Sequence, residues 1–127
     1  VRSPEESWER RRSRYQSLLN QPGSFVLIAE QAKRAVGYAL VTVHEGSETW
    51  QTSDQVAELE TLSVLPEARG VGIGSALMHA VYAELEQAGI TEITVNVIAS
   101  NKDALRFYER YGLIPKTIMF QGSIQRI

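Results

Sequence analysis

The stretch Val64-Leu65-Pro66-Glu67-Ala68-Arg69-Gly70-Val71-Gly72-Ile73-Gly74-Ser75-Ala76-Leu77-Met78 leads from the end of an apolar strand through a glycine-rich turn into an amphipathic helix. Gly70, Gly72 and Gly74 carry no Cβ, so the amides around them can approach an anion closely. The first helical N–H groups beyond them have no partner within the helix. The positive end of the helix dipole and the Arg69 guanidinium add to the attraction, and the turn reads as a holder of phosphate. Two familiar phosphate loops do not fit it. A P-loop needs Lys and then Ser or Thr after its last glycine, but Gly74 is followed by Ser75 and Ala76. A dinucleotide fingerprint is spaced G-x-G-x-x-G, whereas these glycines run G-x-G-x-G.

What fits is R-x-x-G-x-G, read as Arg69, Gly72 and Gly74, after the strand Glu58 to Val64 and Pro66. Further on, Asn101-Lys102-Asp103-Ala104-Leu105-Arg106-Phe107-Tyr108-Glu109-Arg110-Tyr111-Gly112-Leu113 follows the pattern N-x-x-A-x-x-F-Y-x-x-x-G-F/L. In this order and separation, the two stretches resemble the acetyl-coenzyme-A motif and the signature that follows it in the GNAT superfamily of N-acetyltransferases. The resemblance covers the second half of the chain by motif and the first half by pattern. It implies an α/β (α+β) GNAT fold: a mixed, mostly antiparallel central sheet flanked by helices, with a parallel strand pair that splays at its C-terminal ends. The strand and helix with which the family usually begins have no counterpart here, and Val1 in place of Met reads as the start of a trimmed piece of a longer chain.

The resemblance also implies acetyl-coenzyme A as the cofactor. Its pantetheine arm would pair with main-chain groups of Leu62, Ser63 and Val64. Its pyrophosphate would sit on the amides of Gly70, Val71, Gly72, Ile73, Gly74 and Ser75, beside Arg69. Asn101, Ala104 and Tyr108 would flank the arm near the thioester. Aminolysis needs a neutral amine, and a lysine-like amine with pKa about 10.4 is neutral roughly once in two thousand at pH 7. A base is therefore expected. Glu58 and Glu60 lie two apart on one strand and share a face, and in the family a carboxylate at either position serves as base. Glu58 is favoured over Glu60. Relatives that acetylate protein N-termini place a glutamate on the next strand, where this chain has Asn96. A tyrosine of pKa near 10 can give a proton to a departing thiolate, which assigns Tyr108 as the acid.

Composition narrows the alternatives. A chain of 127 residues reads as a single domain over 1–127. It has no cysteine, so a thiol nucleophile and a disulfide scaffold are excluded, and acyl transfer must be direct or use a hydroxyl. Neither His44 nor His79 has a ligand-like spacing around it, and no metal is expected. Both histidines read as structural or exposed. The net charge of −2 provides no drive toward nucleic acid, despite Arg10, Arg11, Arg12 and Arg14. No apolar run approaches a membrane span, and the expectation is a soluble, cytoplasmic chain.

Glu45, Glu48, Asp54, Glu58 and Glu60 point to a cationic acceptor, either a small-molecule amine or a peptide amine. Exposed edge strands in this fold often pair, which allows a homodimer. The rival reading is an acyl-coenzyme-A-binding module of the same fold that regulates a partner without turnover.

Along the chain, Ser3, Pro4 and Glu6 mark the start of a helix running to about Leu19, with Trp8, Tyr15, Leu18 and Leu19 as its apolar stripe. Ser24 to Glu30 and Ala35 to His44 read as an antiparallel hairpin around the polar turn Gln31 to Arg34. Glu45 to Gln55 reads as a long connection in which Trp50 either lines an acceptor pocket or covers the core edge. Val56 to Val64 is the next strand. Ile73, Ala76, Leu77, Ala80, Val81 and Leu85 repeat at helical spacing, and Gly89 ends that helix. Glu92 to Ile98 reads as a strand parallel to Val56–Val64. Asn101 caps a second helix, Gly112 stops it, and Ile114 to Gln121 reads as a last strand.

Overall fold

The computed structural model of the chain describes residues 20–45 and 55–124. The expected N-terminal helix and most of the long connection, Trp50 included, lie outside the described residues. The chain divides into two compact units, Val1–Asn96 and Val97–Ile127.

In the first unit, β1 (Phe25–Gln31) and β2 (Arg34–Glu45) form the expected antiparallel hairpin. Its two-residue turn holds Ala32 and Lys33 at φ 51° and 64°, both left-handed, as a turn matched to the twist of two strands requires. β3 (Gln55–Val64) runs antiparallel to β2, and β4 (Ile93–Thr94) is parallel to β3, giving the order β1-β2-β3-β4. β2 is the central strand, with Val36, Ala39, Leu40, Val41, Thr42 and Val43 all buried.

One helix of this unit, α1 (Ile73–Gln87), packs on the sheet through Leu77, Met78, Val81 and Leu85. Met78 is fully buried while Ala76 and Ala80 are exposed, so the buried stripe is rotated from the one the apolar spacing predicts. Methionine has the volume to fill the gap against the sheet, and alanine has little surface to gain there. Gly37 of β2 gives α1 room to come close. A Cβ at this position would stand 2.8 Å from the Ser63 carbonyl and 3.4 Å from side-chain carbons of Ile73 and Leu77.

The register carries one irregularity that matters for the site. Leu40 pairs with Thr61 and Val41 with Leu59, so Glu60 is the extra residue of a β-bulge. Such a bulge bends its strand and sharpens the local twist. The parallel ladder pairs Ala57 with Ile93 and Glu58 with Thr94, and β4 goes no further. The expected strand Glu92 to Ile98 is thus cut to two residues, and its ladder stops at Glu58, before the Glu60 bulge. β4 consequently does not reach Leu62, Ser63 and Val64.

In the second unit, α2 (Lys102–Glu109) begins at Asn101, whose side-chain oxygen accepts from the Ala104 amide at 3.1 Å. It ends in a Schellman arrangement: Gly112 at φ 83°, its amide donating to the Glu109 carbonyl and the Leu113 amide to the Tyr108 carbonyl. The last expected strand does not form among the described residues, where Ile114, Ile118, Met119 and Phe120 are exposed. A strand needs a ladder partner, and Pro115 also removes one N–H from the segment.

Candidate active site

The turn after β3 is assembled from short-range contacts. The Leu65 amide donates to the Val36 carbonyl at 2.8 Å, and a single 3-10 turn, Pro66–Ala68, follows. Arg34 Nη2 donates to Glu67 Oε1 at 2.9 Å across the surface. The Glu67 carboxyl lies below the usual range, first because it accepts from the backbone and then because of Arg34. Arg69 Nε donates to the Val64 carbonyl at 3.0 Å, which holds the guanidinium against the end of β3. Gly70 and Gly72 take φ 85° and 89°.

Gly72 is the N-cap of α1, and no side chain caps the helix there. The Ala76 amide donates to the Gly72 carbonyl at 3.0 Å. The amides of Ile73, Gly74 and Ser75 precede that first bond and have no acceptor within the helix. Arg69, Gly70, Val71, Gly72, Ile73, Gly74 and Ser75 therefore form one continuous turn and helix start, capable of holding an oxyanion.

Further back on β3 the two glutamates meet a histidine that the sequence reading set aside. His44 Nε2 lies 3.8 Å from Glu58 Oε1 and 3.9 Å from Glu60 Oε2. Between His44 and Glu60 stands Thr42 of β2, fully buried, its Oγ1 at 2.7 Å from Glu60 Oε2 and 2.8 Å from His44 Nε2. Thr42 pairs with Glu58 in the β2–β3 register, and His44 is two residues along on the same face. The donor atoms of His44, Glu58 and Glu60 lie within 4.8 Å of one another, a cluster that linear spacing does not reveal because it arises from strand pairing. The imidazole nitrogen in this cluster is the one bonded to Thr42. The two carboxylates differ in access: the Glu58 side chain is 31% exposed and that of Glu60 9%.

On α2, Asn101, Ala104 and Tyr108 recur at helical spacing on one face. Phe107 packs edge-on to Tyr108 and tilted against Tyr111, both with ring centroids 5.2 Å apart. Tyr108 is half-buried, and burial pushes its phenol up from 10, so it stays protonated at neutral pH.

The profile of the Acetyltransferase (GNAT) family matches residues 1–113. An uncharacterized N-acetyltransferase of Mycobacterium bovis is 32% identical over 100 residues, 79% of this chain and 59% of the relative. A mycothiol acetyltransferase of Thermobispora bispora is 34% identical over 97 residues, 76% of this chain and 32% of the relative. The chain thus spans between about a third and three-fifths of the length of these relatives. Among solved structures, a Pyrococcus furiosus protein described as an acetyl transferase superposes with TM-score 0.81 at 25% identity, over 98% of this chain and 81% of that one. An aminoglycoside N-acetyltransferase solved with coenzyme A has TM-score 0.71 at 21% identity, over 94% and 92%, a likeness of fold.

Proposed function

The chain belongs to the Acetyltransferase (GNAT) family, and on that premise we propose that it is an acetyl-coenzyme-A-dependent N-acetyltransferase acting on a primary amine of a small molecule or peptide. The observation that carries this reading is on one strand. β3 presents two carboxylates beside an imidazole and then runs directly into a turn whose amides suit a pyrophosphate. In this reading the amides from Gly70 to Ser75, with Arg69, hold the cofactor phosphates. Main-chain groups of Leu62, Ser63 and Val64, which β4 does not reach, pair with the pantetheine amides. Asn101 and Ala104 belong to the thioester end.

The chemistry follows from these assignments. Glu58 takes a proton from the bound ammonium, directly or through a water, and the freed nitrogen attacks the thioester carbon. The C–S bond breaks, the nitrogen gives its second proton to solvent as the amide forms, and the sulfur leaves as coenzyme-A thiolate. Tyr108 donates to that sulfur. A phenol above 10 is a weaker acid than a thiol near 8.5, so complete transfer runs uphill by about 2 kcal/mol or more at reference values. The phenol therefore acts chiefly as a hydrogen-bond donor while charge develops on sulfur, and regains from solvent any proton it gives. Two carboxylates in the acceptor region select a cationic acceptor. Relatives named for acetylation of mycothiol and of aminoglycosides support a small-molecule amine. Use of acetyl-coenzyme A points to the cytoplasm.

The test is release of free thiol from acetyl-coenzyme A across polyamines, aminoglycosides, amino acids and peptides, with Tyr108→Phe beside the parent. Release with one amine class, slowed roughly 10- to 100-fold in the variant, is the expected result. Cofactor binding with no release from any amine overturns the reading in favour of a regulatory binding module.

A further inference from the structure

The buried threonine between the histidine and one glutamate has a single proton, and where that proton points sorts the two carboxylates. An ionised carboxylate only accepts, so the 2.7 Å contact with Glu60 Oε2 uses the Thr42 proton. Thr42 Oγ1 must then accept at its 2.8 Å contact with His44, which requires the proton on Nε2. The chain of donors runs one way: His44 Nε2–H to Thr42, Thr42 O–H to Glu60. Among the described residues no comparable threonine contact engages Glu58, whose carboxylate is the more exposed of the two and has His44 Nε2 at 3.8 Å.

We infer that Thr42, oriented by His44, is a positioning residue that clamps Glu60 as a fixed anion for the acceptor's ammonium and leaves Glu58 to serve as the base. The role assigned to Glu58 rests on the acetyl-transfer reading above; the direction of the clamp does not. Glu60 is suited to the fixed role. It is the bulge residue, its side chain is the less exposed, and the Thr42 hydroxyl donates to it. Glu58 sits in regular pairing opposite Thr42 itself, yet the Thr42 hydroxyl is bonded to Glu60. A rigid anion beside a freer carboxylate lets one acceptor nitrogen be bound by the first and deprotonated by the second.

Two readouts test this. Long-range proton–nitrogen spectra of His44 at about pH 8.5, where an ordinary imidazole is neutral, report which nitrogen carries the proton. The expected result is the Nε2–H tautomer in the parent and in Thr42→Ser, and a mixture in Thr42→Val. An Nδ1–H tautomer in the parent overturns the clamp, because the threonine proton would then point at His44. In thiol release, Thr42→Val is expected to lower kcat about tenfold, since a small misplacement of a binding group is costly to the reacting geometry. Thr42→Ser restores it; loss in both overturns a role for the hydroxyl.

Glu58→Gln is expected to lower kcat about 100-fold or more, and Glu60→Gln chiefly to raise the amine KM. The opposite pattern, with kcat lost in Glu60→Gln and kept in Glu58→Gln, overturns the division of roles while leaving acetyl transfer intact. No release by the parent with any amine overturns acetyl transfer and the base role of Glu58 with it, and the tautomer then decides the clamp alone. Thermal midpoints of all variants separate these effects from a failure to fold.

Discussion

Left-handed backbone recurs at several turns of this molecule, and two of them fill it differently. The β1–β2 hairpin places Ala32 and Lys33 at φ 51° and 64°, while the turn before α1 places Gly70 and Gly72 at 85° and 89°. The hairpin angles lie in the small left-handed basin that ordinary L-residues can enter at a cost of roughly 1–2 kcal/mol each. The other pair lies beyond it, where glycine is the natural occupant. Yet a Cβ on Gly70 or Gly72 would meet nothing within 4 Å among the described residues. The space beside them is open among the described residues, which leaves room for the phosphates that the proposed function assigns to these amides. In the hairpin a side chain at such an angle costs only stability; in the glycine turn, on the proposed cofactor assignment, it should cost binding as well.

The largest effect follows from putting a branched side chain into that open space. Gly72→Val strains the N-cap of α1 and covers the amide face, so the dissociation constant for acetyl-coenzyme A should rise about 100-fold, as isothermal calorimetry would measure. Gly72→Ala should lose far less. If the valine variant binds as the parent does, the turn is not the phosphate cradle, and the contrast between the two turns is one of backbone strain alone.

Gly37 sharpens the contrast from the other side, since its φ is ordinary and its neighbours are close. The Ser63 carbonyl, 2.8 Å from where its Cβ would be, belongs to the strand that leads into the turn. Gly37→Ala should cost about 1–3 kcal/mol in urea unfolding, because backbone has to move to admit the methyl group. Here glycine serves close approach, whereas at Gly72 it serves an angle and an open face. An unchanged midpoint would mean that the sheet yields at this seam more easily than packed cores do.

What could be read from the sequence divides along the same line, between local and paired features. The glycine turn, the Asn101 cap and the helix stops at Gly89 and Gly112 involve residues within a few positions of one another, and each shows in the chain as a spacing. The hairpin and β3 were legible from their runs of β-formers. The meeting of His44 and Thr42 with Glu58 and Glu60 was not, because it depends on the register of two strands and on a bulge that no short pattern marks. Aligning Ala35–His44 against Val56–Val64 as antiparallel neighbours would have put His44 near the glutamates and was the signal available. The extents of Glu92 to Ile98 and Ile114 to Gln121 failed for the same reason. Their residues favour strands, but ladder bonds come from a partner, and composition does not show where a partner ends.

The smallest effect should be found in the hairpin, and its sign is the opposite of the others. Lys33 is exposed and carries a side chain at φ 64°, so Lys33→Gly relieves the left-handed penalty. Glycine also loses more freedom on folding, which takes back part of that gain. The two-residue turn favours glycine at its second position strongly enough that the balance should be a stabilisation of about 0.5–1 kcal/mol, visible as a higher urea midpoint with unchanged slope. Affinity for acetyl-coenzyme A should not change, since the substitution removes no group assigned to the cofactor. A stabilised protein with unaltered binding, set beside Gly72→Val, would show that φ alone does not account for the glycines of the turn; a loss of stability would show that Ala32 and Lys33 sit in their basin without the expected cost.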